Sequence, residues 1–128
     1  MKGKLQSPHN LAVGRWGEHL AADYLRKKGY TILSQNVHTP FGEIDLIALE
    51  GTTLAFVEVK TRATGAFGLP EEAITLKKRQ HMIEAAQYYL NEHPEIQEDC
   101  RMDVIAIRGK QKDADVEIVH YENAIFWD

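Results

Sequence analysis

Two apolar runs rich in β-branched residues, separated by a short glycine turn, constrain the fold of this 128-residue chain more than any other feature. The runs are Glu43–Leu49 and Leu54–Lys60, with Gly51-Thr52 between them. Glycine at the first central position favours a type II′ turn, so we predict a β-hairpin in which Glu50 pairs with Thr53. The pairs on one face are then Leu49–Leu54, Ile47–Phe56, Asp45–Glu58 and Glu43–Lys60, and the other face carries Ile44, Leu46, Ala48, Ala55, Val57 and Val59.

This register sets two acidic side chains, Asp45 and Glu58, directly opposite each other. Opposed Cβ atoms lie about 4.5–5.5 Å apart, so the two carboxylates repel unless one is protonated or a cation binds between them. Two carboxylates beside Lys60 suit a hard divalent ion, Mg²⁺ or Mn²⁺, better than zinc. The alternative is a sheet end that frays into water, where the charges are screened. Spacing by itself leaves both interpretations open.

Helical spacing of apolar residues predicts one helix before the hairpin and one after it. The first is predicted from Asn10, as its N-cap, to Gly29, just beyond its end, and the second from Glu71 to Glu92. The element order αβββαββ indicates a mixed α/β domain. The strands outside the hairpin are predicted at Tyr30–Val37, Arg101–Arg108 and Val116–Tyr121.

The composition, with 44% hydrophobic and 27% charged residues, is typical of one globular domain, which we predict to span residues 1–128. The single cysteine, Cys100, cannot form an internal disulfide, so we expect a reducing, cytoplasmic location. No stretch approaches the roughly 18 apolar residues of a membrane span, and the N-terminus lacks the apolar core of a signal peptide. Because the formal net charge is −4, contact with a polyanion has to be local.

The hairpin residues also resemble a known motif. Gly42–Ala48 reads GEIDLIA and Phe56–Arg62 reads FVEVKTR, so an acid on one strand is followed by Glu-x-Lys on the next. With an acidic residue on the preceding helix, this pattern resembles the YraN-like family of the PD-(D/E)xK nuclease superfamily, which is similar to Holliday-junction resolvases. The likeness extends to Gly14–Glu18 and to Lys77–Leu90. The first motif reads Glu-Ile-Asp rather than Pro-Asp. Glu-Ile-Asp is the form that is usual in this family.

The resemblance implies a restriction-endonuclease-like αβββαβ core, in which a mixed sheet is flanked by helices. It implies that Asp45 and Glu58 bind Mg²⁺ or Mn²⁺ and that Glu18 on the first helix completes the site. The Val59 carbonyl is a further metal ligand in this interpretation, and Lys60 corresponds to the catalytic lysine. Because a nearby cation lowers a lysine pKa, ordinarily about 10.4, we expect Lys60 to stabilise charge on the phosphate rather than act as a strong base.

Two acids keep alternative interpretations. Glu18 lies at the flank of the apolar stripe of its helix, where it can reach the sheet end or remain a solvated carboxylate. Glu43 is a secondary candidate, either as an ion-pair partner of Lys60 or as an outer ligand. Gly14 and Gly17 near Glu18 indicate close backbone approach, and packing against a strand explains it better than phosphate binding.

Basic and hydroxyl side chains that follow the second hairpin strand are predicted to contact nucleic-acid phosphates. Three of them form a dense basic run, whose alternative interpretation is a solvated helix surface. Trp16, Tyr88 and Tyr89 are predicted to be core or edge aromatics, and Phe67 is the exception that could stack on a base. The predicted phosphate contacts are Thr61, Arg62, Lys77, Lys78 and Arg79, with His81 beside them.

We therefore expect a metal-dependent endonuclease that hydrolyses phosphodiester bonds in DNA, including branched DNA, as in repair and recombination. Two rival functions are a non-catalytic DNA-binding or repair accessory module with a nuclease fold, and a metal-dependent hydrolase of small phosphate esters. Symmetric resolution of a four-way junction needs two active sites, so that activity would require a homodimer. The segment Ala124–Trp127 offers an apolar contact for it, unless this segment folds back on its own sheet.

Overall fold

The computed structural model describes residues 8–62, 74–110, 112 and 115–125. Within these residues the chain forms two helices and five strands, in the predicted order αβββαββ. Neither described helix combines the length and the apolar character that crossing a membrane requires. The elements are α1 (Pro8–Lys27), β1 (Thr31–Thr39), β2 (Gly42–Glu50), β3 (Thr53–Arg62), α2 (Leu76–Glu92), β4 (Asp99–Arg108) and β5 (Glu117–Ile125).

The strands form one mixed sheet in the order β1-β2-β3-β4-β5. Strands β1, β2 and β3 form an antiparallel meander, β4 runs parallel to β3, and β5 is antiparallel to β4. A parallel neighbour needs a crossover connection, and α2 lies in the connection between β3 and β4. The chain is therefore an α/β protein, and its sheet and helices are consistent with the predicted restriction-endonuclease-like core.

The alternation of β2 and β3 builds a core on each face of the sheet. Helix α1 covers one face and α2 covers the other, as their small and apolar side chains allow. The α1-side core contains Ala21, Ala22, Leu25, Leu46, Ala48, Ala55 and Val57. The α2-side core contains Ile47, Leu54, Phe56, Met82, Ala85 and Ala86.

The β2–β3 hairpin has the predicted register. Gly51 has a φ of 59°, which the first central position of a type II′ turn requires, and Glu50 pairs with Thr53. The ladder then continues without a shift to the pair Leu46–Val57. Turn chemistry and side-chain pattern together were sufficient to set this part of the sheet.

The predicted continuation of the ladder toward the start of β2 is wrong. The register predicts the pairs Asp45–Glu58 and Glu43–Lys60 there, but the ladder ends at Leu46–Val57. Ile44, expected on the same face as Leu46, packs in the α2-side core, whereas Leu46 packs in the α1-side core. Strict alternation would put both on one face, so β2 is irregular between them. The irregularity falls at Asp45.

The two ends of α1 differ in how well sequence signals located them. The helix begins at Pro8, so Asn10 lies inside it and is not its N-cap. At the other end Gly29 has a φ of 98°, as predicted for the residue just beyond a helix. The Gly29 N–H donates to the Arg26 carbonyl, and the Tyr30 N–H donates to the Leu25 carbonyl, both at 3.0 Å. This pattern is a Schellman motif, which turns the chain directly into β1.

Helix α2 begins later than the predicted Glu71. Ile74 and Thr75 are not helical, and the Thr75 side chain caps the helix by accepting a hydrogen bond from the Lys78 N–H at 3.1 Å. Residues 71–73 lie outside the described residues, as does Phe67. The cap fixes the direction of the first turn of α2, which carries the predicted basic run.

Strand β5 extends beyond the predicted Tyr121 to Ile125. Ile125 is 2% exposed, pairs with Met102 of β4 and packs in the α2-side core. The alternative interpretation of this segment is therefore correct for Ala124 and Ile125, which fold back on their own sheet. Phe126 and Trp127 lie outside the described residues.

Candidate active site

A groove of about 830 Å³ lies where β2 begins and β3 ends. Helix α1 contributes one wall, and Lys78 reaches the groove from the first turn of α2. Four carboxylates converge on it, from Glu18, Glu43, Asp45 and Glu58. The β2–β3 hairpin and the more distant helix α1 therefore bring their acids to one place.

Asp45 stands at the irregular point of β2. Its Oδ2 accepts a hydrogen bond of 2.8 Å from the backbone N–H of Val59, so a side chain joins β2 to β3 just beyond the last ladder pair. The Asp45 and Glu58 carboxyl groups lie close enough for the charge of Glu58 to raise the pKa of Asp45.

Glu58 forms an ion pair with a residue of α2, the helix that covers the face of the sheet opposite α1. Its side chain is 8% exposed, and its Oε2 lies 3.4 Å from the Lys78 Nζ. The Lys78 side chain is 43% exposed and lines the groove. Lys78 is among the phosphate contacts predicted from the sequence, whereas in the structure its ammonium pairs with a predicted metal ligand.

Asp45 belongs to two acidic groups. One is its pair with Glu58, and the other contains Glu18 and Glu43. One carboxylate oxygen from each of Glu18, Glu43 and Asp45 lies within 4.8 Å of the others. Glu43, a secondary candidate from the sequence, thus belongs to the centre of the acidic group. Its Oε2 lies 3.3 Å from the Nδ1 of His38, which is its ladder partner on β1, and not opposite Lys60.

Asp45, Glu58 and Glu18 hold their protons more tightly than exposed carboxyl groups. Burial, followed by the charge of Glu58, raises the pKa of Asp45 to about 8. Burial also raises the pKa of Glu58, although Lys78 and Lys60 oppose this effect. Burial raises the pKa of Glu18, and a hydrogen bond from Asn36 works against it. The carboxylates are therefore crowded and short of positive charge.

Lys60 is half-buried near the same acids. Burial lowers its pKa, the positive charge of Arg62 adds to this effect, and Glu58 and Asp45 act in the opposite direction. The expected cause of a lowered pKa was a nearby cation, whereas the main cause in the structure is burial. Lys60 therefore lies within electrostatic reach of both predicted metal ligands.

The predicted phosphate contacts separate into two groups. Thr61 and Arg62 at the end of β3 line the groove together with Lys78. Lys77 is exposed next to Lys78, and His81 is also exposed. The Arg79 Nε is buried, and no described residue accepts a hydrogen bond from it. The basic run is therefore not one uniform surface.

Gly17 lies where α1 crosses the end of β3. A Cβ atom at Gly17 would overlap the Oγ1 of Thr61 and lie 3.3 Å from its Cβ, so close packing against a strand explains this glycine, as predicted. A Cβ at Gly14 would meet nothing within 4 Å among the described residues. Packing therefore explains Gly17 but not Gly14.

Sequence reasoning missed Asn36 and His38, which line the groove from β1. Asn36 has a φ of 55° and falls between the ladder pairs Gln35–Leu46 and Val37–Ile44, opposite the irregular Asp45. One signal was available, because asparagine is depleted in strands and adopts the left-handed conformation more easily than most residues. An asparagine inside a predicted strand, next to a motif strand, marked this irregularity.

The donor set fits a hard divalent cation. It offers only carboxylate oxygens, three of them mutually within 4.8 Å, and Mg²⁺ and Mn²⁺ prefer such ligands. The raised pKa values of Asp45, Glu58 and Glu18 indicate the same, since a bound cation would relieve the repulsion that favours protonation. Asp45 belongs to both acidic groups, so it would be a ligand in either arrangement.

Residues 17–107, which include every acid of the groove, match the family model described as "Uncharacterised protein family UPF0102". A UPF0102 protein of Syntrophotalea carbinolica is 45% identical over 114 residues, or 89% of this chain and 91% of that protein. Another, from Syntrophomonas wolfei, is 47% identical over 106 residues, or 80% and 92%. A third, from Chlorobium phaeobacteroides, is 50% identical over 100 residues, or 78% of each chain. The chain therefore belongs to family UPF0102, the YraN-like group whose motif its hairpin residues resemble.

Proposed function

We propose that this protein is a Mg²⁺- or Mn²⁺-dependent endonuclease that hydrolyses phosphodiester bonds in DNA. The observation that carries the proposal is the convergence of Glu18, Glu43, Asp45 and Glu58 in one groove, with Lys60 close by. Repulsion among four acids costs folding free energy, and a structural role alone does not explain why they are grouped. A cation site for phosphate chemistry does explain it.

The carboxylates of Asp45, Glu58 and Glu18 would hold the cation. Glu43, whose carboxylate oxygen lies within 4.8 Å of those of Glu18 and Asp45, would act with them. A divalent cation bound there would lower the pKa of a water molecule and neutralise charge that builds up on the scissile phosphate. The Val59 N–H fixes the orientation of Asp45. This backbone bond holds one ligand in place before the cation binds.

The remaining work of catalysis falls to cationic side chains. Lys60 would stabilise the additional negative charge on the phosphate oxygens, which is an electrostatic role rather than that of a strong base. Arg62 and Arg15 line the same groove and would position neighbouring phosphates. They provide local positive charge in a chain whose formal net charge is −4.

The groove favours a polymeric substrate over a small phosphate ester. It runs past α1, the end of β3 and the first turn of α2. Basic side chains from each of these elements therefore surround the acids. A nucleic-acid backbone presents a phosphate to each of them, whereas a small ester presents only one. One copy of the chain suffices for a nick, and symmetric cleavage of a junction would require two.

Cleavage of labelled four-way junction, flap, duplex and single-stranded DNA with Mg²⁺ or Mn²⁺ tests this proposal. We expect the wild type to cut at least one of them and EDTA to abolish cutting. Asp45→Asn, Glu58→Gln and Lys60→Gln should each lower the rate by at least about 100-fold, because each removes a charge used in the reaction.

Glu95→Gln is the matched control, since Glu95 is an exposed acid on the loop after α2, and its rate should equal that of the wild type. Cleavage that survives all three site substitutions would come from a contaminating nuclease and would contradict the proposal. DNA binding without cleavage would instead support the non-catalytic accessory module.

A further inference from the structure

Lys78 makes the one ion pair between a described α2 side chain and the acids of the groove. Its Nζ lies 3.4 Å from the Oε2 of Glu58. The Thr75 cap accepts from the Lys78 N–H at 3.1 Å, so the backbone from which the side chain leaves is fixed. Its stem is flexible and 43% exposed, whereas the Glu58 side chain is only 8% exposed.

A buried carboxylate in contact with a second carboxylate needs a positive charge nearby. The charge of Glu58 acts on Asp45, and the charge of Lys78 is the strongest influence that opposes the effect of burial on the pKa of Glu58. A divalent cation on Asp45 and Glu58 would supply the same positive charge in the same place. Two cations cannot both lie against Glu58 without repelling each other.

We propose that Lys78 is the resident counter-ion of Glu58, and that an incoming divalent cation displaces its ammonium group into the groove, where it contacts a substrate phosphate. This inference rests on the proposed function and adds a positioning residue that links cation binding to substrate binding. The flexible lysine stem allows the movement, and the groove that Lys78 lines gives the ammonium a destination.

Lys77 provides a matched control. It has the same charge and lies on the same turn of α2, but successive helical residues point about 100° apart. Its side chain is exposed, whereas that of Lys78 is half-buried against Glu58. A general effect of removing positive charge from α2 would appear equally at both lysines.

Calorimetric titration of the full chain with Mn²⁺, in the absence of DNA, tests the counter-ion role. Lys78→Gln should bind Mn²⁺ at least about fivefold more tightly than the wild type, because the ion no longer displaces a positive charge. Lys78→Arg, which keeps the charge, and Lys77→Gln should stay within about twofold of the wild type. Circular dichroism checks that each variant is folded. Equal or weaker Mn²⁺ binding by folded Lys78→Gln would overturn the proposal.

The salt dependence of binding to a junction DNA tests the displacement. Binding of the DNA is measured in EDTA and again in Ca²⁺, which also prefers oxygen ligands and is used in place of Mg²⁺. Because each phosphate contact contributes about 0.9 to the slope of log K against log salt, Lys78→Gln should lose about one contact in Ca²⁺ and none in EDTA. Lys77→Gln should change equally in both conditions.

A loss of slope for Lys78→Gln that is the same in EDTA and in Ca²⁺ would overturn the displacement. If the wild type bound no DNA in either condition, the phosphate contact would be refuted together with the proposed substrate. The Mn²⁺ titration contains no DNA, so the counter-ion role would still stand or fall by that result.

Discussion

The carboxyl group of Asp45 keeps a proton that an exposed aspartate would lose at neutral pH. Burial and the adjacent Glu58 raise its pKa to about 8, although the Val59 N–H favours the charged form. In the unfolded chain the same group has a pKa of about 3.9. The folded protein therefore binds this proton more tightly than the unfolded chain does.

The sign of this difference predicts how stability varies with pH in the absence of divalent cations. The contribution of Asp45 is fully present below its unfolded pKa and is lost as pH rises through its folded pKa of about 8. Asp45→Asn, which carries no charge, should therefore be more stable than the wild type at pH 8.5, by more than about 1 kcal/mol. Urea denaturation at pH 5 and pH 8.5 in EDTA measures this.

Asp23→Asn is the control for that experiment, since Asp23 is an exposed acid on α1. It should change stability by less than about 0.5 kcal/mol at either pH. If Asp45→Asn differed from the wild type by the same amount at pH 5 and at pH 8.5, the result would contradict a raised pKa of Asp45 in the folded protein.

At the scale of elements, helix α1 meets strand β3 at a glycine. Gly17 is buried, and an added methyl group would overlap the Thr61 Oγ1, so the helix approaches the strand closely at this point. The close approach brings Glu18, the next residue, to the end of the sheet. The position of the helix acid thus depends on the absence of a side chain beside it.

Two alanine substitutions on α1 separate packing from helix propensity. Alanine favours a helix over glycine by about 1 kcal/mol, so Gly14→Ala should stabilise the protein by about 0.5–1 kcal/mol. Gly17→Ala should destabilise it by about 1–2 kcal/mol, because overpacking against Thr61 outweighs that gain. Urea denaturation compares the free energies of unfolding of the two variants. If both changed in the same direction, α1 would be able to move away from Thr61 without loss of stability.

At the scale of the whole molecule, Asp103 of β4 ties distant parts of the chain together away from the groove. It is fully buried and accepts hydrogen bonds from Arg101 at 3.0 Å, His120 at 2.8 Å and the Asn123 N–H at 2.9 Å. The other ring nitrogen of His120 lies 2.8 Å from the Lys28 Nζ, just after α1. Burial alone would raise the pKa of Asp103, but its partners hold it below the usual value.

Removing this carboxylate should weaken the whole fold. Asp103→Ala leaves Arg101 and His120 without their buried partner, and we expect a loss of about 3–5 kcal/mol at pH 7. Because the folded pKa is depressed, the contribution of Asp103 is present above its unfolded pKa, about 3.9, and is lost as pH falls through the folded value. The difference between Asp103→Ala and the wild type should therefore shrink on acidification.

Guanidinium denaturation at pH 7 and pH 3.5 measures both effects. Glu95→Ala, an exposed acid in the loop after α2, should change stability by less than about 0.5 kcal/mol. A loss below about 1 kcal/mol for Asp103→Ala at pH 7 would show that the network contributes little to stability.

The sequence by itself determined the features that depend on neighbours along the chain. The Gly51 turn set the register of β2 against β3 because turn type and side-chain alternation act within a few residues. The Gly29 signal located the end of α1 for the same reason. The motif acids Asp45 and Glu58 were found because they lie on the two strands of that hairpin.

Only the tertiary structure decided how the groove is completed. The break in β2 at Asp45 lies opposite Asn36 of β1, and Glu18 arrives from α1 through the close contact at Gly17. The pairing of Glu58 with Lys78 depends on a helix that begins after the hairpin and packs on the other face of the sheet. These contacts join residues that are far apart in sequence, so their geometry follows from how helices pack on the sheet and not from any local pattern.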